Sequence, residues 1–260
     1  MRRELNAIMA IAARDITKLF RDRLRLVFGI LFPLIFIGIL STSLQASVGQ
    51  NLGYNLLTFS FVGILAQTLF QSTASGIISL VSDGETDFAQ EIFVSPISRY
   101  SILFGKIVGE SAVSFFLIIS ILVLGLVLRI PLDWHQLILV LPSGLISALF
   151  GGAFGVLVMS VLPSQQSAQQ VFPFVLFPQF FLSGVFSPIK TLPPVLFVLS
   201  RIIPMTYAVD LVRSLYYLGK PEYAQVVLHD PLTNLLIITG YFVVLLVLGT
   251  KIFVSRDRNR

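Results

Sequence analysis

Six stretches of apolar, nearly uncharged sequence decide what this chain can fold into: Leu26 to Leu44, Leu56 to Val81, Ile107 to Leu128, Gln136 to Leu162, Gln169 to Ser187 and Leu232 to Thr250. Each comes close to or exceeds the roughly 20 residues a helix needs to cross a hydrocarbon core about 30 Å thick. Lipid offers backbone N–H and C=O groups no partners, so a spanning segment must satisfy them internally, as a helix does. The composition points the same way: 55% of the 260 residues are hydrophobic and 12% charged, against roughly 25% charged in soluble domains. The expected fold class is an all-α integral membrane protein with six transmembrane helices, forming one transmembrane domain over residues 1–260.

Six spans place both termini on one side. Of the 18 Lys and Arg residues, 13 fall on that side, seven of them in the first 25 residues, and five on the other. The positive-inside rule then puts both ends in the cytoplasm, with the plasma (inner) membrane as the expected location. A net charge of +5 is read as this topology signal, so membrane lipids and not nucleic acid are the expected contacts. The N-terminal sequence lacks a short apolar core followed by a small-residue cleavage site and is read as mature sequence. Within residues 1–25, Leu5, Ile8, Met9, Ala12, Ile16, Leu19 and Phe20 recur at helical spacing opposite Arg2, Arg3, Lys18 and Arg21. The pattern predicts an amphipathic helix in the headgroup plane, with a solvated basic tail as the alternative.

Two connections are long enough to require helices of their own. The cytoplasmic one, Ser82 to Lys106, has Asp83 as an N-cap and Pro96 as a breaker for a short helix through Phe93. The outer one, Pro188 to Pro231, contains the apolar run Val195 to Ile203, too short to span and bounded by Pro193, Pro194 and Pro204. A re-entrant dip fits it, followed by a helix from about Tyr207 to Leu218 capped by Thr206 and closed by Gly219.

Little in the sequence suggests catalysis. The absence of Cys removes thiolate metal sites and cysteine nucleophiles, and neither His135 nor His229 has an acidic cluster at metal-ligand spacing, so no metal site is expected. Ion-coupled carriers display Asp, Glu, His or Lys inside their spans. Here Glu110, near the cytoplasmic start of the third span and within snorkelling reach of water, stands almost alone. The chain also lacks the GxxxxGK[ST] phosphate loop. The fourth span carries Gly144, Ala148, Gly151, Gly152 and Gly155, small residues that suit a moving interface or tight packing. In the second span Gln67, Gln71, Ser75 and Ser79 form one stripe with Thr68 and Ser72 beside it, lining a translocation path or bonding a neighbouring helix.

The outer connection reads FLSGVFSPIKTLPPVLFVLSRIIPMTYAVDLVRSLY. Its Phe181, Leu182, Ser183, Gly184, Pro188, Leu192, Pro193, Pro204, Thr206, Tyr207, Asp210 and Arg213 stand where type 2 ATP-binding cassette permeases place such residues, and nearly the whole chain resembles that family, most nearly its drug- and lipid-exporting branch. The segment EIFVSPISRYSILFGK matches the same family at Ser95, Pro96, Arg99, Gly105 and Lys106. The resemblance implies a permease subunit of an ATP-driven exporter that moves amphipathic, lipid-like, drug-like or glycan-linked molecules outward. It implies a dimer of two permease copies or homologues and a separate ATPase that carries the ATP and Mg, so this chain would bind no cofactor and would not itself be an enzyme. It implies a coupling helix at Thr86 to Val94, with Asp87, Phe88, Glu91, Ile92, Phe93, Pro96 and Arg99 as contact residues. It implies an outer gate that includes Ser183, Gly184, Pro193, Pro204, Tyr207, Asp210 and Arg213, the last two pairing with each other or across the dimer.

One departure is visible: many relatives begin the coupling loop with basic residues, whereas Asp83, Glu85, Asp87 and Glu91 make this one acidic, either for an unusual ATPase or merely to cap and solvate the helix. Two other readings compete. One is a membrane-embedded lipid-modifying enzyme built around Tyr207, Asp210, His229 and Asp230, against which the missing nucleophile and metal cluster count. The other is a scaffold that anchors a cytoplasmic ATPase without transporting anything.

Overall fold

A computed structural model describes residues 2–49, 52–83, 99–162 and 165–258, and all regular structure among them is helical. In chain order the elements are α1 (Arg2–Arg21), α2 (Arg23–Pro33), a π-helical stretch Leu34–Ser41, α3 (Thr42–Val48), α4 (Leu56–Asp83), α5 (Arg99–Val127) and α6 (Trp134–Val161). There follow α7 (Gln165–Leu182), a 3-10 turn Ile189–Thr191, α8 (Pro194–Ile202), α9 (Pro204–Tyr216), α10 (Tyr223–Val226) and α11 (Pro231–Arg258).

Five segments are long and apolar enough to cross a membrane: Val27–Val48, Leu56–Ile78, Ser101–Val127, Trp134–Val161 and Tyr223–Phe253. The expected fifth span, Gln169 to Ser187, differs. Its helix is α7, which ends at Leu182 and contains Pro173 and Pro178. The apolar part, Gln170–Leu182, reaches about 20 Å at about 1.5 Å per residue, short of the roughly 30 Å core. The α8–α9 pair, bent by 91°, would count as a sixth span if taken as one.

The first span is not one α-helix. Pro33 ends α2; lacking an N–H and crowding the carbonyl one turn back, it loosens the helix, and the next turns widen to the π form. The hydroxyls of Ser41 and Thr42 donate to carbonyls five residues back, on Phe36 and Ile37, at 2.8 and 3.3 Å. The second span runs on to Asp83, which ends α4; the helix it was expected to cap lies outside the described residues. The segment assigned to ATPase coupling, with Asp87, Phe88, Glu91, Ile92, Phe93 and Pro96, lies outside the described residues; Arg99 is the first residue of α5.

The core forms around α4, which packs against α5, α6 and α9 and buries Phe59, Ile64, Leu65, Leu69, Phe70 and Ala74. Glycine sets the approach of α6. A Cβ on Gly151 would overlap the Phe70 carbonyl, and one on Gly155 would stand 2.7 Å from the Ala74 carbonyl oxygen. The four-residue spacing aligns these bare positions on one face, so the two backbones touch. This is the geometry of tight packing. A Cβ on Gly249 of α11 would likewise stand 2.9 Å from the Leu157 backbone of α6.

Helix α1 lies along α5. A Cβ on Gly105 would come within 3.1 Å of Ile8 Cα, and one on Gly109 within 2.9 Å of Ala12 Cα. Ile11, Ala12 and Leu19 are buried in that contact, while Met9, read as part of the apolar stripe, is 63% exposed.

Candidate functional site

At the α8–α9 end of the bundle, the chain turns sharply at Ile203. The last carbonyls of a helix have no partner within it, and at a 91° corner they cannot be passed to a continuing helix. Three hydroxyls take them up. Thr206 Oγ1 donates to the Ser200 carbonyl at 2.6 Å, Tyr207 Oη to Arg201 at 2.6 Å, and Tyr241 Oη of α11 to Ile202 at 3.3 Å. Thr206 therefore does not cap α9 as expected: α9 starts at Pro204, whose missing N–H costs nothing in the first turn, and Thr206 fastens the preceding helix instead. Gly219, with φ +79°, follows the end of α9 as expected. Thr206→Val and Tyr207→Phe are each expected to destabilise by about 1 kcal/mol, the net worth of one hydrogen bond, read as a lower thermal midpoint in detergent.

Asp210 and Arg213 form no ion pair with each other among the described residues, which removes the first of the two pairings expected for them. The Asp210 carboxylate accepts the backbone N–H groups of Leu228 and His229 at 2.9 and 2.8 Å and the side-chain amide of Asn234 at 2.8 Å. It thereby fixes the entry into α11. Arg213 is fully buried; its Nη2 donates to the Gly184 carbonyl at 2.8 Å and its guanidinium lies 3.7 Å above the Phe59 ring of α4. Gly184 has φ +80°, which a side chain would resist, so glycine lets the turn after α7 present that carbonyl. Gly63 of α4 leaves room for the guanidinium, since a Cβ there would stand 2.9 Å from Nη2. Ser183 is buried beside this turn, and Pro193 precedes the first residue of α8. The signature residues Ser183, Gly184, Pro193, Pro204, Tyr207, Asp210 and Arg213 thus converge on one folded cap. Phe59, Gly63 and Asn234 belong to it too, and no local sequence pattern marks them.

Tyr207, Asp210 and Asp230 are each held by hydrogen bonds: Tyr207 donates to a backbone carbonyl, Asp210 accepts three N–H donors, and the Asp230 carboxyl accepts from Thr233. His229 contacts Arg201 at 3.3 Å, and His135 is exposed.

A second cluster sits where α1 meets α5. Lys106 Nζ lies 2.9 Å from Asp15 Oδ1 and 3.0 Å from Glu110 Oε1, and each of the three side chains is 1% exposed. Glu110 therefore does not snorkel to water; α1 covers it, and its carboxylate lies against α4 at Gly76, where any Cβ would overlap it. Burial pushes the Asp15 carboxyl above its usual range while the Lys106 ammonium pulls it back. Sequence held a signal for this cluster: Asp15 interrupts the buried stripe of α1 between Ile11 and Leu19, and Lys106 and Glu110 are four apart on α5.

The polar stripe of α4 divides. Gln67 is buried and its amide donates to Gln71 Oε1 at 2.9 Å, whereas Gln71 and Ser75, with Thr68 and Ser72, form one wall of a cleft of about 340 Å³. The facing walls come from α1, the first span and α5, chiefly through Phe28, Phe32 and Leu117.

A set of long apolar helices packed through glycines, with a hydrogen-bonded helical corner at one end, defines a polytopic membrane protein. The chain belongs to the ABC-2 type transporter family, whose profile matches residues 6–217. It is also 28% identical over 216 residues to "Putative transport permease ycf38" of Cyanophora paradoxa, covering 82% of this chain and 74% of that one. The protein of the same description from Porphyra purpurea is 24% identical over 219 residues, again with 82% and 74% covered.

Proposed function

We propose that this permease is the transmembrane subunit of an ATP-driven exporter that moves amphipathic, lipid-like or drug-like molecules outward as a separate ATPase closes on ATP and Mg. The observation that carries the reading is the family match over residues 6–217, which takes in the first spans, the region of the coupling loop and the α8–α9 corner. The chain has no phosphate loop of its own, so the nucleotide must be hydrolysed elsewhere. On this reading α1 lies in the cytoplasmic headgroup plane, both termini are cytoplasmic in the plasma (inner) membrane, α8 and α9 form a re-entrant outer gate, and two permease copies or homologues form the pathway. The Asp87 to Pro96 segment and Arg99 contact the ATPase, with Phe88, Ile92 and Phe93 supplying the apolar contact. The engagement of Asp210 with backbone N–H groups and of Tyr207 with a backbone carbonyl weighs against the lipid-modifying enzyme.

The test is copurification with the candidate ATPase in lipid vesicles. Wild type should bring down the ATPase and hydrolyse ATP, while Phe93→Asp should lose the complex or uncouple hydrolysis, because a charge enters an apolar contact. If no ATPase copurifies, or if the variant matches wild type, the coupling assignment fails.

A further inference from the structure

Hydroxyls on apolar helices ordinarily donate to a carbonyl one turn back, as those of Ser114, Ser120, Thr239 and Thr250 do in this chain. Thr68, Ser72 and Ser75 depart from that habit: among the described residues their hydroxyls have no hydrogen-bond partner, and Thr68 is only 8% exposed. Gln71 takes the Gln67 amide on its Oε1, which leaves its own N–H groups as donors without a protein acceptor among the described residues. All four lie on one face of α4 at helical spacing and line the same cleft. Unpaired polar groups at membrane depth are costly, so the cleft suits an occupant that returns those hydrogen bonds.

The walls restrict the occupant further. None of the described lining residues is ionisable, so among them a phosphate or carboxylate would be desolvated without a counter-charge. Phe28 and Phe32 on the facing wall are 62% and 36% exposed and offer apolar surface to a chain. A volume of about 340 Å³ is at the low end of small-molecule sites, which run to about 300–1,000 Å³, and admits a headgroup with part of its chain.

We propose that this cleft binds the uncharged, hydroxyl-rich headgroup of an amphiphile, through Thr68, Gln71, Ser72 and Ser75, and selects against anionic headgroups. This names the substrate class for the transport reading above and rests on it, but the binding itself requires no ATPase and can be measured alone.

The test uses the full-length chain in phosphatidylcholine nanodiscs with two probes carrying the same photoreactive acyl chain, glucosyl-diacylglycerol and phosphatidylglycerol, with labelled peptides mapped by mass spectrometry. The glucosyl probe should label the peptides around Phe28 to Phe32 and Thr68 to Ser75, and phosphatidylglycerol should label them about tenfold less, a difference equal to about one net hydrogen bond. Gln71→Leu should cut the glucosyl label by a similar factor. Ser75→Ala, at an exposed position that folding tolerates, should cut it less and serves where Gln71→Leu fails to fold. Methyl glucoside, which has the headgroup and no chain, should compete only weakly. Equal labelling by both probes, indifference to both substitutions, full competition by methyl glucoside, or crosslinks from the cleft to a second copy of the chain would each overturn the proposal. Selective labelling alongside a failed ATPase copurification would keep the site and overturn the transport reading alone.

Discussion

Lys106→Met is expected to cost about 3–5 kcal/mol, since it removes the ammonium from between the buried carboxylates of Asp15 and Glu110. Thermal unfolding in detergent, followed by the fraction of protein still monodisperse, should show a large drop in midpoint. Lys106→Arg keeps the charge but needs more space and should fall between. The decisive comparison is the triple variant Asp15→Asn, Lys106→Met, Glu110→Gln, which removes the three described charges of the cluster and should recover much of the loss, because neutral, hydrogen-bonded side chains avoid the desolvation that buried ions incur. A triple variant as unstable as Lys106→Met would mean that the damage comes from packing around the lysine stem and not from charge.

That cluster shows where sequence reading ends. Hydropathy runs locate α4 and α6 to within two residues at each end, because continuous apolar sequence of this length has few other solutions, whereas α5 starts eight residues before its apolar run and α11 ends eight residues after its own. The glycines of α6 were legible as an interface, yet only the contact of Gly151 with Phe70 and of Gly155 with Ala74 names the partner helix. Glu110 read as solvent-reaching because depth along a helix is visible in sequence and cover by another helix is not. The covering element, α1, carried its own clue in Asp15, but an acid in an apolar stripe acquires meaning only with Lys106 opposite it, 91 residues away. The first span looked uniform, and the effect of Pro33 on the turns after it depends on surrounding packing that no local pattern reports.

The α8–α9 cap was legible as a set of residues and not as a set of bonds. Its prolines and glycines announced breaks, and Pro204 and Gly219 fall at the ends of α9 or just beyond them. The roles of the polar side chains were less accessible, because Asp210 and Arg213, three apart on one helix, suggest a pair. Instead each turns to backbone: the acid to N–H groups of Leu228 and His229, the base to the Gly184 carbonyl. At an irregular corner the scarce resource is a partner for the main chain, and nearby charged side chains are drawn to it.

Asp210→Ala should therefore be among the most damaging single changes in the cap. It orphans the N–H groups of Leu228 and His229 and leaves the Asn234 amide with only the His229 carbonyl, and at about 1–3 kcal/mol for each donor left unmade, with incomplete additivity, the expected loss is about 2–5 kcal/mol. Asp210→Asn retains one acceptor oxygen and should lose roughly 2 kcal/mol. Hydrogen exchange gives the local readout: the amides of Leu228 and His229 should be protected in wild type and exchange faster in both variants, the alanine more so. A double-mutant cycle with Arg213→Leu separates this account from an ion pair. Breaking a buried pair would give a coupling energy near the full cost of either change, about 3–5 kcal/mol, whereas residues that serve different backbone partners should couple by less than about 1 kcal/mol. A large coupling would restore the Asp210–Arg213 pair, and the cap would then be held by charge pairing instead of by its main-chain acceptors and donors.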